Sequence, residues 1–246
     1  MLQTRSVTRR FGGLTAVRNV SLDVKSGEIF GVIGPNGAGK TTFFNLLSGT
    51  IPCTSGQIVF KGREIQNQRP HVIARTGIGR TFQIVRPFAQ LTVIENVLTG
   101  IGVPFSTGFA SALAQSRRSK HLEAARTLLK RTQLERYEHE TAANLPLGIL
   151  RRLEIARALG PAPTLILLDE SFSGLSHGEA QALVELIRQL RSDGMTILLI
   201  EHNMHITMNL CDRIAVLDRG EKIAEGMPAE IRSDPRVISA YLGSDE

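Results

Sequence analysis

The stretch that decides the fold is Gly34-Pro35-Asn36-Gly37-Ala38-Gly39-Lys40-Thr41, which matches the phosphate-loop pattern G-x-x-x-x-G-K-[ST]. The apolar run 29–33 precedes it, and a helical pattern over 41–48 follows it and stops at Gly49. Between a strand and a helix, such a loop points successive backbone N–H groups at phosphate oxygens. We expect Lys40 to reach the β- and γ-phosphates of a nucleotide, and the Thr41 hydroxyl to ligate Mg²⁺.

Outward from this loop, apolar runs alternate with helical patterns. The run 165–168 ends in Asp169-Glu170, the run 196–200 ends in Glu201-His202, and an amphipathic helix pattern over 180–191 lies between them. Strands that are apolar on both faces and alternate with helices predict a parallel sheet that is covered on both sides.

The remaining segments predict smaller pieces around this sheet. Short strands or hairpin arms are predicted at 20–24, 57–60, 214–217 and 222–224. The middle, about 84–160, lacks strand-like runs and predicts helices at 122–130 and 151–159. Residues 100–119 are rich in Gly, Ser and Ala and predict a loop with a broken helix.

Three polar side chains follow the predicted parallel strands. An Asp at the end of a strand is most often a turn or cap residue, but beside a phosphate loop Asp169 is expected to hold Mg²⁺ through its water shell. Glu170 is placed to activate a water as general base. His202 follows the next strand, where it would fix the γ-phosphate and that water.

Composition narrows the class of protein without choosing a partner. The chain has 246 residues, 42% apolar and 21% charged, which excludes a wholly disordered or collagen-like chain. No apolar run is long enough to span a bilayer, and no secretory signal is expected. Two distant cysteines exclude a disulfide scaffold and favour a reducing compartment. The net charge of +6 suits nucleic acid, nucleotide phosphates, an anionic membrane surface or a solvated basic face.

These motifs make the sequence resemble the ATP-binding subunits of ABC transporters over essentially its whole length. The resemblance extends the phosphate loop to Thr42 and makes Gln83, in Arg80-Thr81-Phe82-Gln83, the Q-loop glutamine that contacts metal and water. It makes His202 the switch histidine. It also implies that Phe11 stacks on adenine, although by itself Phe11 is more typical of a core residue.

A narrower resemblance is to importers of branched-chain amino acids. It rests on the segments 10–17, 80–83, 92–97, 151–157 and 241–243. Other subunits choose the solute, so related amide, urea or organic-acid importers remain alternatives.

The resemblance implies an α/β P-loop NTPase of the ABC ATPase type. Its parts are a RecA-like parallel-sheet core with an antiparallel β subdomain (1–84 and 161–221), an inserted α-helical signature subdomain (85–160) and a C-terminal extension (222–246). The implied ligands are ATP and Mg²⁺, and two cassettes would sandwich two ATP molecules. The implied partners are a second ABC ATPase chain, transmembrane permease subunits and, indirectly, a solute-binding protein, at the cytoplasmic face of a bacterial or archaeal membrane. No nucleic-acid partner is expected.

The sequence departs from the family at its signature, which is usually Leu-Ser-Gly-Gly-Gln. The aligned stretch is Leu145-Pro146-Leu147-Gly148-Ile149, so a Pro replaces the Ser and an Ile replaces the Gln. Proline suits a helix start, but it removes a hydroxyl and an N–H aimed at the γ-phosphate. Two smaller departures are Ser171, where the family usually has Pro after the Glu, and the D-loop over 173–177. We therefore expect a heterodimer with one competent and one impaired site, with a homodimer as the alternative.

Three other functions compete with a transport ATPase. A regulatory or scaffold subunit with weak hydrolysis is favoured by the altered signature and disfavoured by the intact Glu170 and His202. A nucleic-acid ATPase of the ABC type is favoured by the basic charge, but 246 residues leave no room for the usual long insertions. A kinase or GTPase lacks its base-specifying motif.

Overall fold

The parallel strands that follow from the apolar runs form one six-stranded sheet. The fold is that of a computed structural model, which describes residues 1–83, 86–102 and 112–242. The strands are β1 Leu2–Phe11, β2 Leu14–Val24, β3 Ile29–Ile33, β4 Ser55–Phe60, β5 Arg63–Glu64, β6 Ile78–Arg80, β7 Leu165–Asp169, β8 Thr196–Ile200, β9 Arg213–Asp218 and β10 Glu221–Gly226. The helices are α1 Lys40–Leu47, α2 Pro70–Thr76, α3 Val93–Ile101, α4 Ala112–Arg131, α5 Leu147–Leu159, α6 His177–Ser192, α7 Met204–Leu210, α8 Pro228–Ser233 and α9 Pro235–Leu242.

The sheet order explains why the functional motifs meet. The large sheet runs β10-β9-β3-β8-β7-β6, and all neighbours from β9 to β6 are parallel. The carboxyl ends of β3, β8, β7 and β6 therefore lie at the same edge. Crevices outside the carboxyl ends of parallel strands are where open α/β sheets bind ligands.

Both faces of the large sheet are buried, as the apolar runs predict. In β7, Leu165 and Leu167 pack into a core with α1 and the second sheet, whereas Ile166 and Leu168 pack into a core with α5 and α6. The second sheet is antiparallel, in the order β2-β1-β4-β5. A third apolar core joins α3, α4 and α5. The parallel core, the antiparallel sheet and the helical insertion are confirmed.

Two boundaries differ from the sequence predictions. Helix α4 begins at Ala112, so residues 112–119 of the predicted broken loop are helical, and residues 103–111 of that prediction lie outside the described residues. Strand β10 pairs with β9 and reaches Gly226, so the core sheet continues into the segment predicted as the C-terminal extension. The strand predicted at 222–224 is therefore part of the core sheet.

None of the described helices combines the length and apolar composition of a membrane span.

Candidate nucleotide-binding site

The phosphate loop connects β3 to α1 and depends on two glycines. Gly34 and Gly39 have φ angles of 151° and 95°, a region that L side chains rarely adopt. A Cβ atom on Gly34 would lie 2.0 Å from the Leu217 carbonyl oxygen, and one on Gly39 would lie 2.3 Å from the Ala16 carbonyl oxygen. The loop therefore keeps its curl only with glycine at both positions.

Lys40 is the first residue of α1 and points back into the loop. Its ammonium Nζ donates to the carbonyl oxygens of Gly34 at 2.7 Å and Pro35 at 2.9 Å. Burial lowers the pKa of Lys40, while the nearby charges of Glu170 and Asp169 raise it. The ammonium thus lies inside the loop, near the carboxylates of Asp169 and Glu170 at the end of β7.

Asp169 is buried at the end of β7. Its Oδ2 atom accepts a hydrogen bond from Arg80 Nη2 at 3.0 Å. Its Oδ1 atom is also buried and has no hydrogen-bond partner among the described residues. Burial raises the pKa of Asp169, and the Arg80 guanidinium acts in the opposite direction. A cavity of about 610 Å³ reaches from Asp169 and Thr41 to Arg80 and Gln83.

Two predicted catalytic side chains, Gln83 and His202, meet at a third, Glu170. Gln83 Nε2 donates to Glu170 Oε2 at 2.7 Å, and His202 Nδ1 lies 4.0 Å from the same oxygen. Glu170 has a φ angle of 47°, and its backbone N–H donates to the Ile200 carbonyl oxygen at 3.0 Å. A non-glycine residue held in this region is backbone strain of the kind found at active sites. The geometry brings Gln83, Glu170 and His202 together, and their catalytic roles stay a prediction.

Phe11 lies at the end of β1, next to the β1–β2 turn. Phe11 is 44% exposed, so the alternative that it is a core residue is wrong. Arg9 Cζ lies 4.4 Å from the ring centroid, a cation–π distance. The opposite strand of this hairpin reaches the phosphate loop, because Ala16 abuts Gly39. Contact between Phe11 and adenine stays a prediction.

The signature segment opens α5. Pro146 is the N-cap residue with φ −65° and makes no side-chain cap. Ile149 is 8% exposed and packs in the helical core, so apolar packing accommodates the change from Gln. The Gly148 N–H donates to Glu179 Oε1 at 3.2 Å.

A buried ion pair, which the sequence analysis did not single out, joins the signature helix to two loops. Arg151 Nη1 lies 3.6 Å from Glu154 Oε2 inside α5. Glu154 Oε1 accepts from the Phe82 N–H at 2.9 Å, while Arg151 donates to the Phe82 carbonyl at 3.2 Å and to the Ser173 carbonyl at 3.5 Å. Burial raises the pKa of Glu154. Opposite charges three residues apart on one predicted helix are the signal that could have found this pair.

Glu201 is a second buried carboxyl group that sequence reasoning missed. It is 1% exposed, and its Oε1 accepts from the Phe172 N–H at 3.1 Å. Burial raises its pKa to about 7. Its place directly after the apolar strand β8 is a signal that could have indicated proximity to the site, but not burial.

Comparison with known proteins agrees with this geometry. A family model described as "ABC transporter" matches residues 17–173, and one described as "Branched-chain amino acid ATP-binding cassette transporter" matches residues 221–246. The chain is 45% identical, over 99% of its length and 98% of the relative's, to the high-affinity branched-chain amino acid transport ATP-binding protein LivG of Salmonella typhimurium.

Solved structures show the same fold. The ADP conformation of an ATP-binding cassette of an ABC transporter matches with a TM-score of 0.88 and 31% identity, over 99% of both chains. A dimeric post-hydrolysis cassette bound to ADP and Pi matches with a TM-score of 0.77 and 26% identity, over 93% of this chain and 99% of that one. These matches agree with the phosphate loop and with the two carboxylates at the end of β7. The chain belongs to the ABC transporter family, as one of its ATP-binding cassettes.

Proposed function

We propose that this chain is the ATP-hydrolysing subunit of an ABC importer for branched-chain or related amino acids. The observation that carries the ATPase part is the meeting of Gln83 and His202 on one oxygen of Glu170. This meeting occurs at the sheet edge that also presents the phosphate loop and Asp169. The names of the relatives and the C-terminal family match support the amino-acid part.

The residues fit ATP together with Mg²⁺. Lys40 and the loop N–H groups would bind the phosphates, and Thr41 and Gln83 would contact the ion. Asp169 fits the role of holding the ion's water shell, because its buried Oδ1 has no hydrogen-bond partner among the described residues. The bound ion would neutralise charge on the phosphate oxygens.

Glu170 has the position of a general base. Its Oε2 accepts the Gln83 amide, so this oxygen is aimed at the side chains that would orient a water. A carboxylate that takes a proton in the transition state contributes about 10²–10⁴-fold to the rate. His202, on the next strand end, would hold the γ-phosphate and the water in line.

The test of hydrolysis is Mg²⁺-dependent ATP turnover by the purified chain and its Glu170→Gln variant. We expect the variant to bind ATP and to hydrolyse it more slowly, by a factor of about 10² or more. The matched control is Glu185→Gln, which removes an exposed carboxylate paired with Arg188 on α6. ATP binding with negligible turnover in the unchanged chain would point to the altered signature and to a missing second cassette. Turnover that stays negligible beside a second cassette with an intact signature would favour the regulatory or scaffold alternative.

The test of the transported solute is uptake by the assembled importer. Membrane vesicles that contain the chain with its permease and binding protein should accumulate labelled leucine, isoleucine or valine in an ATP-dependent way. The Glu170→Gln variant should abolish that uptake. Uptake of an amide, urea or an organic acid in place of these amino acids would reassign the solute and leave the ATPase function intact.

We propose further that the chain works beside a second, different cassette at the cytoplasmic face of the membrane. Pro146 at the N-cap of α5 supplies no hydroxyl, so the ATP held by the partner's phosphate loop would lose a charge-assisted hydrogen bond. Such a bond contributes about 1.5–3 kcal/mol. Pro146→Ser should therefore raise turnover by the chain paired with itself. Full, cooperative turnover by two unchanged copies would exclude the heterodimer.

A further inference from the structure

The first turn of α5 is already bonded to a carboxylate of the same chain. The Gly148 N–H, the second residue of this thirteen-residue helix, donates to Glu179 Oε1 at 3.2 Å. The N–H groups of Ile149 and Leu150 donate to the Pro146 carbonyl oxygen at 3.0 Å. The amide of Gly148 is therefore held by an anion from α6 before any phosphate arrives.

Glu179 is fixed in this position by a capping box of its own helix. Its Oε2 atom accepts from the Ser176 backbone N–H at 2.9 Å and from the Ser176 hydroxyl at 2.7 Å. One carboxylate oxygen thus caps α6 and the other reaches α5. These hydrogen bonds lower the pKa of Glu179, with a smaller contribution from the Gly148 N–H, so the group is an anion at neutral pH.

The close approach requires glycine at 148. A Cβ atom there would lie 2.6 Å from Glu179 Oε1. The neighbouring Gly174, with φ 79°, packs in the same way, because its Cβ would lie 3.0 Å from Leu147 Cδ2. The signature end of α5 and the segment that leads into α6 therefore contact each other at both glycines, where a side chain approaches the backbone closely.

The N-terminus of a helix attracts anions, but an anion already bound there repels a second one. We infer that the Glu179 carboxylate occupies the signature end of α5 and opposes the γ-phosphate of the partner-bound ATP, so that the nucleotide sandwich closes only when Glu179 withdraws from Gly148. This inference rests on the proposed function, since it assigns a regulator to the same dimer interface. Glu179 is a positioning residue that contacts α5 and not the reacting atoms.

The experiment measures ATP-dependent self-association in the Glu170→Gln background, in which bound ATP persists. Sedimentation velocity would compare this protein with the same protein carrying Glu179→Gln. The glutamine side chain retains an oxygen acceptor for the cap of α6 but loses the negative charge that would repel the phosphate. We expect the dissociation constant of the ATP-bound dimer to fall about tenfold or more, and no gain with ADP, which lacks the γ-phosphate.

Glu95→Gln is the matched control. Glu95 forms the same capping box with Thr92 at the start of α3. This control reports the effect of losing a capping charge, and we expect no tighter dimer from it.

Equal dimer affinity with and without the Glu179 charge would overturn the inference, and so would the absence of any ATP-dependent dimer in both proteins. An equal gain from Glu95→Gln would overturn it as well. Titration of a fluorescent ATP analogue on the same samples separates this failure from failure of the proposed function. Loss of ATP binding in the Glu170→Gln protein would contradict the function itself, whereas intact binding without a dimer gain contradicts only the role of Glu179.

Discussion

Arg80 Nη2 lies 3.0 Å from Asp169 Oδ2, and this ion pair connects the ends of two neighbouring parallel strands, β6 and β7. The Asp169 side chain is 2% exposed and the Arg80 side chain is 10% exposed. Arg80 Nη1 also donates to Ser48 Oγ at 2.5 Å, at the C-cap of α1. One guanidinium therefore links the predicted metal-binding carboxylate to the helix that follows the phosphate loop, and it compensates the carboxylate charge within the protein.

Arg80→Gln should destabilise the fold, because it leaves Asp169 buried without its cation. Removing one partner of a buried pair costs about 3–5 kcal/mol. The loss should appear in the free energy of urea unfolding, and it should shrink at acidic pH, where Asp169 is protonated. Arg18→Gln is the control, since the Arg18–Glu221 pair is exposed and should cost at most about 1 kcal/mol. Equal losses for both variants would contradict the assigned role of Arg80.

Gly39→Ala should abolish ATP binding as well as lower stability. The new Cβ would lie 2.3 Å from a backbone oxygen, so the loop must change shape. The control is Gly62→Ala in the β4–β5 turn, which also has a positive φ, 77°, but has no atom within 4 Å of the new Cβ. We expect the control to lose about 1–2 kcal/mol of stability and to keep its affinity for ATP. Unchanged ATP binding in Gly39→Ala would show that the loop does not need this conformation.

The Arg151–Glu154 pair should give a large coupling energy in a double-mutant cycle. Arg151→Met or Glu154→Gln alone removes one charge and leaves its buried partner unpaired, whereas the double variant removes both charges. We expect the double variant to be more stable than the sum of the single losses implies, by about 1–3 kcal/mol. Urea unfolding of the four proteins gives this energy, and strictly additive losses would contradict the pair. ATP turnover should fall in both single variants, because both side chains hold the Phe82 segment next to Gln83.

Glu201 should make stability depend on pH near neutrality. Its pKa is raised to about 7 in the folded protein, above the ordinary value of 4.5, because it is buried. A group of this kind contributes stability below its ordinary pKa, and that contribution is lost as pH rises through the folded pKa. Glu201→Gln should therefore gain stability relative to the unchanged chain at about pH 8.5, by about 2–3 kcal/mol at most, and gain little at about pH 4.5. Thermal or urea unfolding at both pH values checks this, and a gain of equal size at both would contradict the assigned pKa.

Much of the site follows from the sequence because its parts are local. The residues from Ile29 to Leu47 specify strand, turn and helix within one short segment, and the glycines of the loop report its positive φ angles directly. The runs 165–168 and 197–200 are apolar at every position, which indicates strands buried on both faces. Parallel strands bring their carboxyl ends to one edge, so the sequence predicts that Glu170 and His202 are neighbours.

The tertiary structure alone decided which charged side chains are buried and which groups they pair with. Arg80, Arg151, Glu154 and Glu201 show in the sequence only as polar residues beside apolar runs, and nothing local states that they are buried. Their partners are separated along the chain, as Phe82 is from Glu154 and Gly148 is from Glu179. Burial and pairing of such groups depend on how β6, β7, α5 and α6 pack together. The nucleotide loop could be deduced from local backbone rules, but the Arg80–Asp169 ion pair could not, because its two residues lie 89 positions apart along the chain and electrostatic pairing depends on distance in space.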